Sequence, residues 1–504
     1  MPSEKRLHPF SILFALLAQA KNFLLPGIVV LFTAQRSEWG WETWAMLGFV
    51  PVALASTLNY LSFRYRYDAT EMVIRSGLVF RNERHVPYAR IQNVDAVQNV
   101  LHRLLGVAEV RVETGGGSEP EAVLRVLPLA AYEEMRRRVF GEGASHAPGA
   151  PTADAPAAPG ECIVLRLDAR ELALYGIIEN RGIVVVGAFF GVLWELGLLD
   201  RISDAVFGEG LSAQGVIRDL IKAALGLGSV PVAKIALSLA AFAAFVVAMR
   251  LLSMAWAALR LHGFTLSVAG EELRTRFGLL TRVSATIPRR RIQTVTVRQG
   301  PLHRLFERAS VRVDTAGGGS VEGQSETQRE WLAPLVPAAA VPGLLREVVP
   351  ELELEGAAWQ PAAAGAFRRE FKGSLIMVAL ICLGLARMLG PWVLLLFALL
   401  APWAFLHARL YVRHLGHAVT ENAVMFRSGW LWRQLSVARF AKIQAVTQVE
   451  SPFDRRAGMA GIHVDTAGAG EASHRVHIPY LHLAQARALF RQLSERAAGT
   501  VFRW

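Results

Sequence analysis

The sequence predicts a membrane protein of mixed α and β structure: six transmembrane helices in three hairpins, each hairpin followed by a small β-rich domain with a C-terminal helix. Three observations predict it. Apolar runs long enough to cross a bilayer recur in pairs. One block of sequence returns three times without a gap. Lys and Arg avoid the loops inside the hairpins and gather outside them.

The apolar runs are read as spans at about 14–34, 43–62, 182–199, 230–257, 374–388 and 391–408. The fourth is the plainest, running from Val230 through Ala243-Ala244-Phe245-Val246 to Ala257. The third and fifth are short, and each is the first arm of a hairpin whose second arm is clear. Of the 504 residues, 53% are hydrophobic and 19% charged, and the mean hydropathy is +0.32. The formal charge of +12 suits an anionic membrane face, since spans are present. Within the hairpin loops the basic residues are Arg36, Arg201, Arg218 and Lys222, whereas Arg64, Arg66, Arg260, Arg409 and Arg413 lie beside span ends on the other side. By the positive-inside rule both termini and all three soluble domains face the cytoplasm. In the long external loop, Val216, Ile217, Leu220, Ile221, Ala224 and Leu225 share one helical face, fitting either a surface-lying helix or a cap on the bundle.

The repeated block begins with Arg75-Ser76-Gly77, Arg276-Phe277-Gly278 and Arg427-Ser428-Gly429. Each glycine is followed at one fixed distance by a glutamine, closing Arg90-Ile91-Gln92, Arg291-Ile292-Gln293 or Lys442-Ile443-Gln444. Each glutamine is followed at another fixed distance by a threonine and small residues: Thr114-Gly115, Thr315-Ala316 and Thr466-Ala467. Alternation such as Val110, Val112 and Thr114 against Glu109, Arg111 and Glu113 is a strand pattern. The motif glycine marks a tight hairpin turn. Returning strands are read at 122–127, 328–332 and 474–478, ended by Pro128, Pro334 and Pro479, and closing helices at 130–139, 338–348 and 483–493. A hairpin-rich sheet with one C-terminal helix is the pattern of a pleckstrin-homology-like barrel. The organisation that follows is hairpin 1–62, domain 63–140, an Ala/Pro/Gly linker 141–165, hairpin 166–260, domain 261–350, linker 351–366, hairpin 367–410 and domain 411–495. Leu167 to Ile178 reads as an interfacial helix entering the membrane. Three similar copies are expected to pack as a pseudo-threefold cluster.

With these motifs, the chain resembles the bacterial PH-domain membrane proteins of the YdbS/YdbT type, in the three-copy, YdbT-like arrangement. The resemblance covers nearly the whole chain. It implies a bacterial cytoplasmic (inner) membrane location, a smaller single-domain family member as partner, and a link to protection of the envelope against membrane-active compounds.

The residues that carry chemistry are the arginine pairs around the first hairpin turn: Arg75 and Arg81, Arg276 and Arg282, Arg427 and Arg433. A guanidinium donates two parallel hydrogen bonds to a phosphate, so turns facing the bilayer could hold anionic headgroups. The same arginines could instead be exposed strand residues, or pair with Glu113, Asp314 and Asp465. Arg103, Arg304 and Arg455 fit structural salt bridges. His102 and His303 share one repeat position where the third copy has Asp454, which points to packing or capping. His414/His417 and His474/His477 lack the further ligands a metal site needs. The glycine runs 115–117 and 317–319 lack the Gly-Lys-Ser/Thr of a phosphate loop. No nucleophile elbow, zinc-protease or kinase motif is present. Glu195 and Lys234 form a candidate intramembrane pair. Cys162 and Cys382 lie in different repeat units and define no disulfide framework. The reading is therefore a non-enzymatic scaffold or binding module that contacts the lipid bilayer, anionic headgroups or protein partners. No cofactor, metal or nucleic acid is expected. A lipid-handling or transport protein with a path between the hairpins is the alternative.

Overall fold

The computed structural model describes residues 62–77, 81–114, 122–140, 162–179, 232–315, 331–352, 356–466 and 476–499, with a few positions among residues 5–11 and residue 58. They divide into two compact units. One comprises Met1–Leu165, Thr265–Arg276 and Thr281–Trp504; the other comprises Arg166–Phe264 and Phe277–Leu280.

In the first copy the elements are β1 (Lys5–Arg6), β2 (Arg64–Tyr67), β3 (Glu71–Ser76), β4 (Asn82–Pro87), β5 (Ile91–Gln98), α1 (Val100–Leu104), β6 (Val107–Thr114), β7 (Ala122–Pro128) and α2 (Leu129–Phe140). The second has β8 (Cys162–Arg166), α3 (Ala169–Ile178), α4 (Val232–Leu261), β9 (Thr265–Ala269), β10 (Glu272–Phe277), β11 (Arg282–Pro288), β12 (Ile292–Gln299), α5 (Pro301–Leu305), β13 (Arg308–Thr315), β14 (Trp331–Pro337) and α6 (Val341–Val348). The third has β15 (Gln360–Pro361), α7 (Ala366–Leu389), α8 (Trp392–His414), β16 (Gly416–Val419), β17 (Ala423–Ser428), β18 (Arg433–Arg439), β19 (Ile443–Val449), α9 (Pro452–Arg456), β20 (Met459–Thr466), β21 (Val476–His482) and α10 (Leu483–Gly499).

Each copy thus pairs a four-stranded meander with a three-stranded one. Apolar residues at alternate positions of both meet in a common core. In the first copy Met72, Ile74 and Val86 come from one sheet, Val110, Val112 and Leu124 from the other, and Tyr132 and Met135 from α2. The third repeats this with Val424, Phe426, Ile462, Val464, Leu489 and Leu493. The motif glycines Gly77, Gly278 and Gly429 all have positive φ (92°, 108° and 79°). At Gly429 an added Cβ would overlap the carbonyl oxygen of Trp432, so the turn requires glycine.

The copies are joined edge to edge. Strand β5 of copy one pairs antiparallel with β11 of copy two, Gln98 opposite Arg282. Strand β12 of copy two pairs with β18 of copy three, Gln299 opposite Arg433. The register is the same at both junctions, and two seven-stranded sheets result. A pseudo-threefold cluster would need a third junction between copies three and one. Among the described residues, neither the outer edge of β4 nor that of β19 has a strand partner, so the arrangement is serial.

Two details differ from the sequence reading, and one expectation falls outside the described residues. Within the stretches read as linkers, Cys162–Arg166 and Gln360–Pro361 add a fourth strand to the first sheet of their copies. These strands are too short, and too close to Pro and Ala, to stand out by pattern. Pro334 and Pro479 lie inside β14 and β21 rather than ending them. Both are edge strands with irregular register, where a missing N–H costs little. Glu195 lies outside the described residues, and Lys234 is described only by its place in α4.

Helices α4 and α8 contain stretches long and apolar enough to cross a membrane, Ala243–Leu261 and Trp392–His414. They match the fourth and sixth spans of the sequence reading, and α7 matches the fifth. The first and third spans lie outside the described residues, and of the second only residues 58 and 62 are described. Helices α7 and α8 turn at Gly390-Pro391 and leave Leu383, Leu394, Leu395 and Leu399 mostly exposed, an apolar surface that suits lipid.

Candidate functional site

Among the hairpin arginines, the structure brings Arg427 and Arg433 together, at the foot of α8. They line a cleft of about 510 Å³ with Arg413 and His414, the last turn of α8, and with Trp359. Among its described lining residues there is no carboxylate. The C-terminal end of a helix carries partial negative charge and would repel an anion, which Arg413 offsets. His414 is fixed by a 2.7 Å hydrogen bond between Nδ1 and the Leu410 carbonyl.

The local sequence explains how Arg427 is held. Its guanidinium lies over the Trp359 ring, 4.7 Å from the centroid. On its other side is Gly416, where a Cβ would come within 2.7 Å of Arg427 Nε. Arg433 stands opposite Gln299 in the β12–β18 junction. It also lines a neighbouring cleft of about 450 Å³ with Arg304 and Arg308. The site is therefore built by two copies: copy three supplies the hairpin and copy two the wall behind it.

The hairpin tip Trp430-Leu431-Trp432 reaches the apolar helix. Trp430 packs edge-on against Trp403 (6.1 Å) and His407 (6.2 Å) of α8. At about 1.5 Å of rise per residue, Trp403 is some 9 Å along the helix from Arg409. Trp432 is 69% exposed, as suits an aromatic ring at a membrane surface. Arg304 donates to the Leu431 carbonyl at 3.1 Å, so this arginine braces the neighbouring hairpin, where a salt bridge was expected.

The other arginines have other surroundings. Arg75 makes a 3.0 Å ion pair with Glu83, and that contact holds the Glu83 carboxyl below its ordinary pKa. Arg81 is exposed, and Arg276 and Arg282 are partly buried in the strands of copy two. Asp314, one of the carboxylates that could have paired with them, instead accepts from Thr294 Oγ1 at 2.5 Å. Sequence reasoning missed Trp359 and Gly416 and read Arg413 only as a charge beside a span end, because none belongs to the repeated block. Asp454, at the position of His102 and His303, accepts from Arg369 of α7 at 2.9 Å and caps α9 with Ser451. His102 and His303 are buried, consistent with a packing role.

Among the described residues no cluster of metal-ligating side chains occurs. His474 lies outside them; His477 stacks on His463, with centroids 4.0 Å apart and planes 5° from parallel. Burial and the His463 ring push the His477 pKa down from 6.5 to about 4. In that window the unfolded chain binds more protons than the folded one, so acid lowers stability as pH falls from 6.5 towards 4. The protection factors of β20 and β21, meaning exchange corrected for its own pH dependence, are expected to fall as pH drops across this range, and His477→Asn to flatten that dependence. A slope unchanged by the substitution would assign the effect to other groups.

The bacterial PH domain family is matched three times, by residues 12–142, 222–347 and 365–497, and the chain belongs to it. The chain is similar to the UPF0699 transmembrane protein YdbT of Bacillus subtilis (strain 168), with 23% identity over 472 residues covering 90% of this chain and 91% of the relative. No solved structure matches the chain. It is a YdbT-like membrane protein with a repeated bacterial PH domain.

Proposed function

We propose that this protein is a non-enzymatic binding module of the bacterial cytoplasmic membrane whose third domain holds anionic lipid headgroups. The observation that carries the reading is the cleft at the foot of α8, lined by Arg413, Arg427 and Arg433 with no carboxylate among its described residues. Guanidinium groups suit phosphate because they donate in a planar fork and stay charged. A headgroup there would lie beside the apolar helix that continues into the bilayer. On this reading the chain crosses the membrane six times, and its three domains are closed PH-like barrels on the cytoplasmic side. It works as a scaffold linked to envelope protection, with a smaller single-domain family member as partner.

The test is titration of the full chain, in neutral detergent micelles, with phosphatidylglycerol or with phosphatidylcholine, read by quenching of tryptophan fluorescence and by native mass spectrometry of retained lipid. Saturable retention of the anionic lipid, weakened as salt rises, is the expected result. Equal retention of both lipids would sink the proposal.

A further inference from the structure

The serial joining of the copies leaves two sheet edges at its ends, and the two are not alike. Strand β4 carries Glu83, Arg84 and His85, all exposed, where the joined strands have Ser284, Ala285 and Thr286, or Leu435, Ser436 and Val437. Charges at such an edge discourage further strand pairing. Strand β19 has no such protection. It reads Ile443-Gln444-Ala445-Val446-Thr447-Gln448-Val449, without charge or proline. Its counterpart β12 is covered by β18, and Thr294, Thr296 and Val297 there are 2%, 2% and 8% exposed. At the matching positions of β19, Ala445 and Thr447 are exposed and Gln448 half-buried, and Val449 beyond them is 43% exposed.

The β19 sequence is also complementary to itself. With two copies antiparallel about Val446, Ala445 faces Thr447, Gln444 faces Gln448 and Ile443 faces Val449. One step further out, Lys442 faces Glu450 of the second copy, at both ends. Copies one and two have Gln98 and Gln299 where copy three has Glu450. Lys442 is buried, and burial followed by the nearby Arg439 and Arg290 lowers its pKa, so an added carboxylate there is favourable.

We infer that β19 is the docking edge for a second copy of this chain, the two β19 strands pairing antiparallel across a two-fold axis into one continuous sheet. The charged β4 edge then ends the array, and the assembly stops at two copies instead of growing into a filament.

The test uses the full chain in a cysteine-free background, Cys162→Ser with Cys382→Ala, carrying either Ala445→Cys or Thr447→Cys. Oxidation of membranes from cells making both variants is expected to give a covalent dimer of the two. Neither Ala445→Cys nor Thr447→Cys should give a dimer when paired with Arg84→Cys. Light scattering in detergent is expected to report two copies for the parent, and one copy for Thr447→Lys at the same concentration. Glu450→Gln should weaken association about tenfold, as loss of about 1.4 kcal/mol in total over the two symmetry-related charge pairs would. A parent chain that runs as one copy, or a Thr447→Cys to Arg84→Cys crosslink, would overturn the inference. So would capture of a different, single-domain chain at Thr447→Cys with no crosslink between copies.

Discussion

Reversing the charge at Arg427 and Arg433 together is expected to weaken retention of phosphatidylglycerol by the full chain at least 100-fold. Each guanidinium–phosphate hydrogen bond contributes about 1.5–3 kcal/mol, so loss of two already reaches that factor at about 1.4 kcal/mol per tenfold. Two new carboxylates facing Arg413 add repulsion towards an anion. Both side chains are exposed, so Arg427→Glu/Arg433→Glu leaves the hydrophobic core of its domain untouched. The matched control is Arg75→Glu/Arg81→Glu, with the same change of net charge. Arg75 is already paired with Glu83, and this pair is expected to matter less than threefold. Equal losses in the two double variants would mean that net charge, not the cleft, retains the lipid. Native mass spectrometry at two salt concentrations separates these outcomes, because an ordinary surface attraction fades more completely with screening than a half-enclosed one.

The repeated block was legible because its physics is local. Gly77, Gly278 and Gly429 are required by a positive φ at the turn, and the valine alternation of β6 and β13 by burial on one face. The joining of the copies was not legible. Whether a β5-type strand is covered depends on a strand in another copy, and periodicity within one copy carries no information about that. The uncharged β19 and the charged β4 were visible as residues, yet their meaning needed the two internal junctions for comparison.

The arginine pairs show the same limit. By sequence the six residues are equivalent. In space Arg75 is paired with Glu83, while Arg427 lies between a tryptophan ring and a glycine. Trp359 belongs to the segment before the third hairpin, and Arg413 to the end of α8; neither recurs in the repeat pattern. The repeat thus identified the residue type that mattered, and the non-repeated surroundings determine which copy has the cleft.

Gly176→Leu is expected to detach α3 from α4, and the size of that effect follows from how closely the two helices approach. A Cβ at Gly176 would overlap Met254 Cα and lie 2.9 Å from Met254 N, and backbone cannot swing aside as a side chain can. Around this contact Arg250 donates to the Ile177 carbonyl at 2.6 Å and Ser253 to the Glu179 carbonyl at 2.8 Å. The last carbonyls of a helix lack partners within it, and these two side chains supply them. Separation would add about 1–3 kcal/mol of overpacking to about 1–3 kcal/mol for each polar group left without a partner. Arg250 falls within the apolar run read as the fourth span, and its hydrogen bond to the Ile177 carbonyl accounts for a charged side chain there. The same unit holds its hairpin tip by hydrogen bonds from Gly278 N to the His262 carbonyl and from Leu279 N to the Leu259 carbonyl, at 2.9 Å each. Hydrogen exchange at residues 169–178 is expected to rise at least 100-fold in Gly176→Leu. Gly384→Leu is the control, since a Cβ there meets nothing within 4 Å on an exposed face of α7. Similar exchange in both variants would mean that α3 is held by its apolar face alone, and that Arg250 and Ser253 contribute little to how the chain enters the membrane.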